Sequence, residues 1–163
     1  MKKIEDKQTL YRIVKTRLEG YLDGISYPWT CFANMSALLY EMLEDINWVG
    51  FYILVDEILL LGPFQGKPAC AKIEVGKGVC GTAIATDSTQ LVSDVHEFPG
   101  HIACDCASNS ELVVPIHVDG RTIGVLDIDS PIINRFEQQD KEGTEQLVHL
   151  LENYLNKIGT IKL

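Results

Sequence analysis

Glu111-Leu-Val-Val-Pro-Ile-His-Val-Asp-Gly-Arg-Thr-Ile-Gly-Val-Leu-Asp-Ile-Asp129 is the stretch that decides the fold. Asp119-Gly120 divides two apolar runs, and Asp-Gly in that setting is a strong signal for a two-residue hairpin turn. Glu111 to Val118 and Arg121 to Asp129 therefore read as antiparallel strands. Upstream, Asn47 to Val55 is aromatic and β-branched, Asp56-Glu57 turns the chain, and Ile58 to Leu61 returns as a second strand. Cys70 to Val75 and Gln90 to Ser93 read as short strands, and Gly62 to Pro68 as a loop by composition.

Helical spacing frames these strands. Leu10, Ile13, Val14, Leu18 and Leu22 predict a first helix over about 5–22, and Trp29, Ala33, Ala37 and Tyr40, with Leu38 and Leu39 beside them, a second ending near Glu44. Val79 to Ala85 reads as a small-residue helix packed close to the sheet, and Leu147, Leu150, Leu151, Tyr154 and Leu155 as the stripe of a last helix. The expected class is α+β: a central antiparallel sheet with the N- and C-terminal helices on one side and a short helix and loops on the other. The 163 residues match the size of one domain.

Bulk composition narrows the partners. A net charge of −9 repels phosphate backbones and anionic lipid, so neither nucleic acid nor membrane is expected as a partner. Met1 to Lys7 holds lysines with no apolar segment behind them, and no apolar run approaches the ~18 residues of a spanning helix, which predicts a cytoplasmic protein. Five cysteines in such a compartment point to thiol chemistry or burial rather than a disulfide framework.

Several residues offer chemistry. Asp127 and Asp129 lie two apart on a strand and so share a face, where their charges repel unless a cation or a proton lies between them. Trp48 and Tyr52 also share a face, with Gly50 leaving space between two rings; they either wall a pocket or pack in the core. Asp94 to Ser110 is a long irregular segment holding His101, Cys104 and Cys106, and such a loop is usually functional. A histidine near a loop cysteine favours the thiolate. A metal set of His101, Cys104 and Cys106 with remote Cys70 or Cys80 lacks a standard ligand spacing, and no metal is expected. Cys31 reads as a small buried hydrophobe on helix two.

Asn47-Trp-Val-Gly-Phe-Tyr52, Gly62-Pro-Phe-Gln-Gly-Lys-Pro-Ala-Cys70, Gly78-Val-Cys80-Gly-Thr-Ala, Phe98-Pro-Gly-His-Ile-Ala-Cys104-Asp, Ser108-Asn-Ser-Glu111 and Gly124-Val-Leu-Asp127-Ile-Asp129-Ser together resemble free methionine-(R)-sulfoxide reductases, which are stand-alone GAF-domain enzymes. The resemblance runs from about Trp29 to beyond Phe136. It implies a single GAF domain over 1–163, with about 1–28 as an N-terminal helical extension. It implies Cys104 as nucleophile, Cys70 as main resolving thiol and Cys80 as a second thiol of the relay. Glu111, Asp127 and Asp129 would hold the substrate ammonium and sulfoxide, and Trp48 and Tyr52 would enclose the sulfur and its methyl. The implied reaction reduces free L-methionine-(R)-sulfoxide through a sulfenic acid and an intramolecular disulfide. Thioredoxin would recycle that disulfide in a homodimer without any cofactor, as part of defence against oxidative stress. Cys106 and Cys31 depart from the family pattern, and Cys106 leaves open which thiol first resolves Cys104. The competing class is a small-molecule or redox-sensing GAF domain without turnover.

Overall fold

Two short turns with left-handed backbone fix the sheet. Asp119 and Gly120 have φ of 51° and 71°, and Asp56 and Glu57 have 49° and 64°, the paired positive values that a two-residue hairpin turn needs to match the strand twist. In the computed structural model, which describes residues 6–102 and 107–159, the first turn joins β5 (Ser110–Val118) to β6 (Arg121–Ser130). The second joins β1 (Trp48–Val55) to β2 (Ile58–Gly66). With β3 (Lys72–Glu74) and β4 (Gln90–Val92) they form one antiparallel sheet in the order β3-β2-β1-β6-β5-β4.

Alternation divides each strand between two cores. Val49, Phe51 and Ile53 of β1, Leu112, Val114 and Ile116 of β5, and Leu126 and Ile128 of β6 face three helices: α1 (Lys7–Leu22), α2 (Pro28–Met42) and α4 (Gln138–Ile158). Trp48, Tyr52, Val113 and Val125 face the other way, onto α3 (Gly78–Thr86) and the segments beside it, in a second and smaller core. This is the α+β arrangement expected from the hairpin and the helical stripes. α1 places Val14, Leu18 and Leu22 fully inside the larger core. Its N-cap Asp6 accepts from the Thr9 amide at 2.9 Å.

Two sequence expectations are corrected. The stretch read as a loop, Gly62 to Gly66, continues β2, because its residues pair with the start of β1: Phe64 with Gly50, Gln65 with Val49 and Gly66 with Trp48. Pro63 is tolerated because β3 pairs only with Ile58, Leu59 and Leu60, leaving the outer edge of β2 without a strand that needs its missing N–H. On α2 the stripe of Trp29, Ala33, Ala37 and Tyr40 is the exposed face. Cys31, Phe32, Met35, Leu38, Leu39 and Met42 are buried instead. Both faces follow helical spacing, but the one carrying Phe32, Met35, Leu38 and Leu39 joins the core of the sheet, which leaves Trp29 and Tyr40 46% and 42% exposed. Cys31 is buried and free, as expected.

A buried carboxylate ties α1 to α4. Asp140 has no exposure, receives Lys7 Nζ at 2.5 Å and the Tyr11 hydroxyl at 3.1 Å, and closes a capping box with Glu137. The Tyr11 ring thus held lies across Gly143, where an added Cβ would be 2.3 Å from Tyr11 Cγ. Gly143→Ala is expected to lower Tm by about 3–10 °C, from ~1–3 kcal/mol of overpacking. Gly20→Ala on α1, where an added Cβ meets nothing within 4 Å, should leave Tm unchanged or slightly higher; thermal melting of both variants checks the contrast.

Candidate active site

Three acidic residues reach the smaller core because the register leaves them no other face. Across the hairpin Glu111 pairs with Asp129 and Val113 with Asp127, and Asp127 pairs with Gly50 on its other side. The neighbours Leu112, Leu126 and Ile128 take the helical core, so Glu111, Asp127 and Asp129 emerge together beside Tyr52. They line a small cavity, partly open to solvent and with only about 30 Å³ accessible to the centre of a water molecule, together with Lys77, Cys80, His101 and Ser108. Cys80 enters from the first turn of α3, and its Sγ lies 3.9 Å from Glu111 Oε1. Gly81, next along α3, lets the helix lie close against the end of β3: an added Cβ would sit 2.4 Å from the Glu74 carbonyl oxygen.

Glu111 and Asp127 are each only 6% exposed. Burial, then the charges of Asp127 and Asp129, push the Glu111 carboxyl well above its ordinary range. Burial also raises Asp127, to about 6, while hydrogen bonds with Cys80 and Glu111 work the other way. Burial thus favours the protonated form of both carboxyls, and a proton held between the pair relieves their mutual repulsion. The Cys80 thiol is pushed up by burial and then by the same two carboxyls, which keeps it protonated. His101 Nε2 stands 4.0 Å from Glu111 Oε2. Burial and His96 lower His101, so this is a contact between two neutral groups rather than an ion pair. One oxygen of Asp127, Oδ1, is buried and finds no hydrogen-bond partner among the described residues. The site therefore combines a pair of buried carboxyls and a shielded thiol in one small space.

The aromatic pair divides between the two places that the sequence left open, core and pocket wall. The space beside Gly50 is filled: an added Cβ would meet Phe64 Cβ at 2.3 Å and Trp48 Cη2 at 2.7 Å. Trp48 is 2% exposed, stacks on Phe64 and Tyr52 with centroids at 5.4 and 5.9 Å, and stands behind the cavity. Tyr52 does line it. Both rings also hold the segment carrying Cys70, since Trp48 Nε1 donates to the Lys67 carbonyl and the Tyr52 hydroxyl to the Cys70 carbonyl, at 3.1 and 3.0 Å.

Cys70 is disulfide-bonded, while Cys31 and Cys80 are free. Cys104 and Cys106 lie outside the described residues. The described residues on either side, His101, Ile102 and Ser108, all line the cavity. Ser108 is anchored to the start of the sheet by the Asn47 side-chain amide at 3.0 Å. His101, read from sequence as a partner for the loop thiols, faces Glu111. Lys77, Gly78 and Ile102 were not singled out as site residues; the Gly76-Lys77-Gly78 turn leading into a small-residue helix was the available signal.

The sequence profile of the GAF domain matches residues 35–156, and the chain belongs to that family. It is 61% identical to the free methionine-R-sulfoxide reductase of Escherichia coli (strain K12) over 150 residues, 92% of this chain and 91% of that protein. It also matches the fRMsr of Staphylococcus aureus solved in complex with substrate, at 51% identity and TM-score 0.85, covering 88% of this chain and 94% of that one. The X-ray structure of free methionine-R-sulfoxide reductase from Neisseria meningitidis in complex with its substrate matches at 40% identity and TM-score 0.91, covering 96% and 93%. Within the GAF domains, the chain belongs to the free methionine-R-sulfoxide reductase family.

The buried carboxyls carry a pH signature. A carboxyl whose folded pKa is raised costs stability once the pH exceeds its ordinary value, and costs it in full above the folded value. Asp127→Asn removes that cost. Its Tm is expected to equal or exceed the parent's by a few degrees at about pH 7.5, and the gap should close as pH falls through 6 toward ~4. Melting curves across that range measure it, and a variant that melts lower throughout would make Asp127 a structural residue.

Proposed function

We propose that the protein reduces free L-methionine-(R)-sulfoxide to L-methionine. The observation that carries this reading is the cavity itself, where Glu111, Asp127, Asp129 and Cys80 converge and which His101, Ile102 and Ser108, from either side of Cys104 and Cys106 in the chain, also line. Relatives solved with their substrate share the fold at high similarity.

In this reading the carboxyls bind the ammonium of the free amino acid, which discriminates against a peptide-bound residue whose nitrogen is an uncharged amide. The N-terminal turn of α3 at Gly78 and Val79, which lines the cavity, offers backbone N–H groups for the substrate carboxylate. Cys104 is the nucleophile. Its thiolate attacks the sulfoxide sulfur while a carboxyl such as Glu111 protonates the oxygen. Methionine leaves with the two electrons, and Cys104 becomes a sulfenic acid carrying the oxygen. Cys70 condenses with it, releasing water and forming a disulfide, and the dithiol of thioredoxin restores both thiols by exchange. The disulfide-bonded state of Cys70 supports its role as resolving thiol, and the shielded, protonated Cys80 suits a second thiol of the relay. Trp48 supports the site from behind Tyr52. No cofactor enters this scheme. We further propose a cytoplasmic homodimer, supported by the exposed Tyr27, Trp29 and Tyr40 around α2.

Three outcomes follow from this scheme. In a coupled assay with thioredoxin, thioredoxin reductase and NADPH, only the R epimer of free methionine sulfoxide should disappear, as chiral separation of the residual substrate reads; equal loss of both epimers defeats the stereochemical claim. Cys104→Ser should abolish even single-turnover methionine release, whereas Cys70→Ser should release about one equivalent and then stall. Asp129→Asn should lower kcat/KM at least about tenfold, the loss expected for one charge-assisted hydrogen bond. A binding module without turnover would consume no NADPH in any of these assays.

A further inference from the structure

Cys80, Glu111 and Asp127 form more than an acidic cluster. The thiol sulfur and one oxygen from each carboxyl lie within 4.8 Å of one another, and all three residues are buried. They come from three separate elements: α3, β5 and β6. Asp127 lines the cavity, and one of its oxygens, Oδ1, is buried without a hydrogen-bond partner among the described residues, so the cluster carries an unused donor for a cation. The Cys80 Sγ to Glu111 Oε1 distance of 3.9 Å is within half an ångström of the ~3.5 Å edge that Zn–S and Zn–O bonds of about 2.3 and 2.0 Å give in a tetrahedron.

We propose that this triad is a site for a soft or borderline divalent cation of the zinc and cadmium type, with Cys80 Sγ, Glu111 and Asp127 as ligands and the fourth position facing the cavity. The donor set selects the metal class. A thiolate favours zinc or cadmium over magnesium and calcium, which prefer all-oxygen shells. On binding, the Cys80 thiol proton and the proton shared by Glu111 and Asp127 leave to solvent. The thiolate and two carboxylates, with three negative charges, then face a cation of two. The ion occupies the groups that the functional reading assigns to the substrate ammonium, so metal and substrate exclude each other. A sulfur in a metal bond is also withdrawn from disulfide exchange. The site is thus a reversible metal-dependent block rather than a cofactor centre.

Cadmium titration of the fully reduced protein tests this, read by the thiolate-to-metal charge-transfer absorbance in the ultraviolet. A Cys31→Ser/Cys70→Ser/Cys104→Ser/Cys106→Ser protein keeps Cys80 as its only thiol and should bind one equivalent. Cys80→Ser should lose that band, and Glu111→Gln and Asp127→Asn should each weaken binding at least about tenfold. These conservative changes keep side-chain volume, and circular dichroism verifies folding. Should the four-serine protein fail to fold, Cys80→Ser in the otherwise unchanged chain decides: cadmium bound as tightly as by the parent overturns the site. A band in the parent that vanishes on removing Cys104 and Cys106, but survives in Cys80→Ser, overturns it equally. Free methionine sulfoxide should displace the metal from the reduced Cys104→Ser protein, which keeps Cys80 and the carboxyls but cannot consume the sulfoxide. If cadmium binds through Cys80 yet the sulfoxide does not compete, the metal site stands and the substrate assignment of the carboxyls fails.

Discussion

Glu111 and Asp127 direct two carboxyls into one buried space, and burial of that kind is tolerated only where the acids share a proton or receive a cation. The rest of the site follows from that constraint. The Cys80 sulfur approaches because a neutral thiol is compatible with low polarity around two acids, and the same acids hold it neutral. His101 meets Glu111 as an uncharged ring for the same reason. A ligand that brings a positive charge into this space relieves what the protein alone leaves unbalanced, and this is the physical basis for the proposed binding of an ammonium and, separately, of a divalent cation.

The cost of this arrangement falls on a sheet stabilised from its other face. Leu112, Leu126 and Ile128, adjacent in sequence to Glu111 and Asp127, are completely buried under the three long helices. Strand alternation makes the two assignments inseparable: a slip of one residue in β6 would place Asp127 in the helical core and Leu126 in the cavity. The helical core therefore holds the register that keeps the acids in place. The stretch most devoted to stability is also the one that sets the chemistry.

Legibility in the sequence followed the range of the contacts involved. The Asp119-Gly120 hairpin, the outer helices and the shared face of Asp127 and Asp129 are local, and all were readable. The strand over Gly62 to Gly66 was not, because its glycines and proline carry a loop signal and its pairing with Trp48, Val49 and Gly50 is non-local. The Gly50 reading failed for a related reason: the space was real in β1 alone, but Phe64 of β2 and the Trp48 ring fill it. On α2, helical period alone could not tell the Trp29–Tyr40 face from the Phe32–Leu39 face. Glu111 was readable as part of the hairpin, but its partnership with Cys80, 31 residues away, came into view only through family resemblance and then through the fold.

The two aromatic residues show why a misread local feature can still mark the right place. Trp48 and Tyr52 hold the chain after β2 by hydrogen bonds to the Lys67 and Cys70 carbonyls, so they fix the backbone from which the Cys70 sulfur projects. A resolving thiol must reach a sulfenic acid quickly, before further oxidation, and that requires a positioned backbone more than an activated sulfur. On this argument the ring stack serves the reaction by restricting where Cys70 can be. In the proposed scheme Trp48 would then contribute to recycling of the enzyme, while Tyr52, on the cavity wall, would contribute to both recycling and substrate contact.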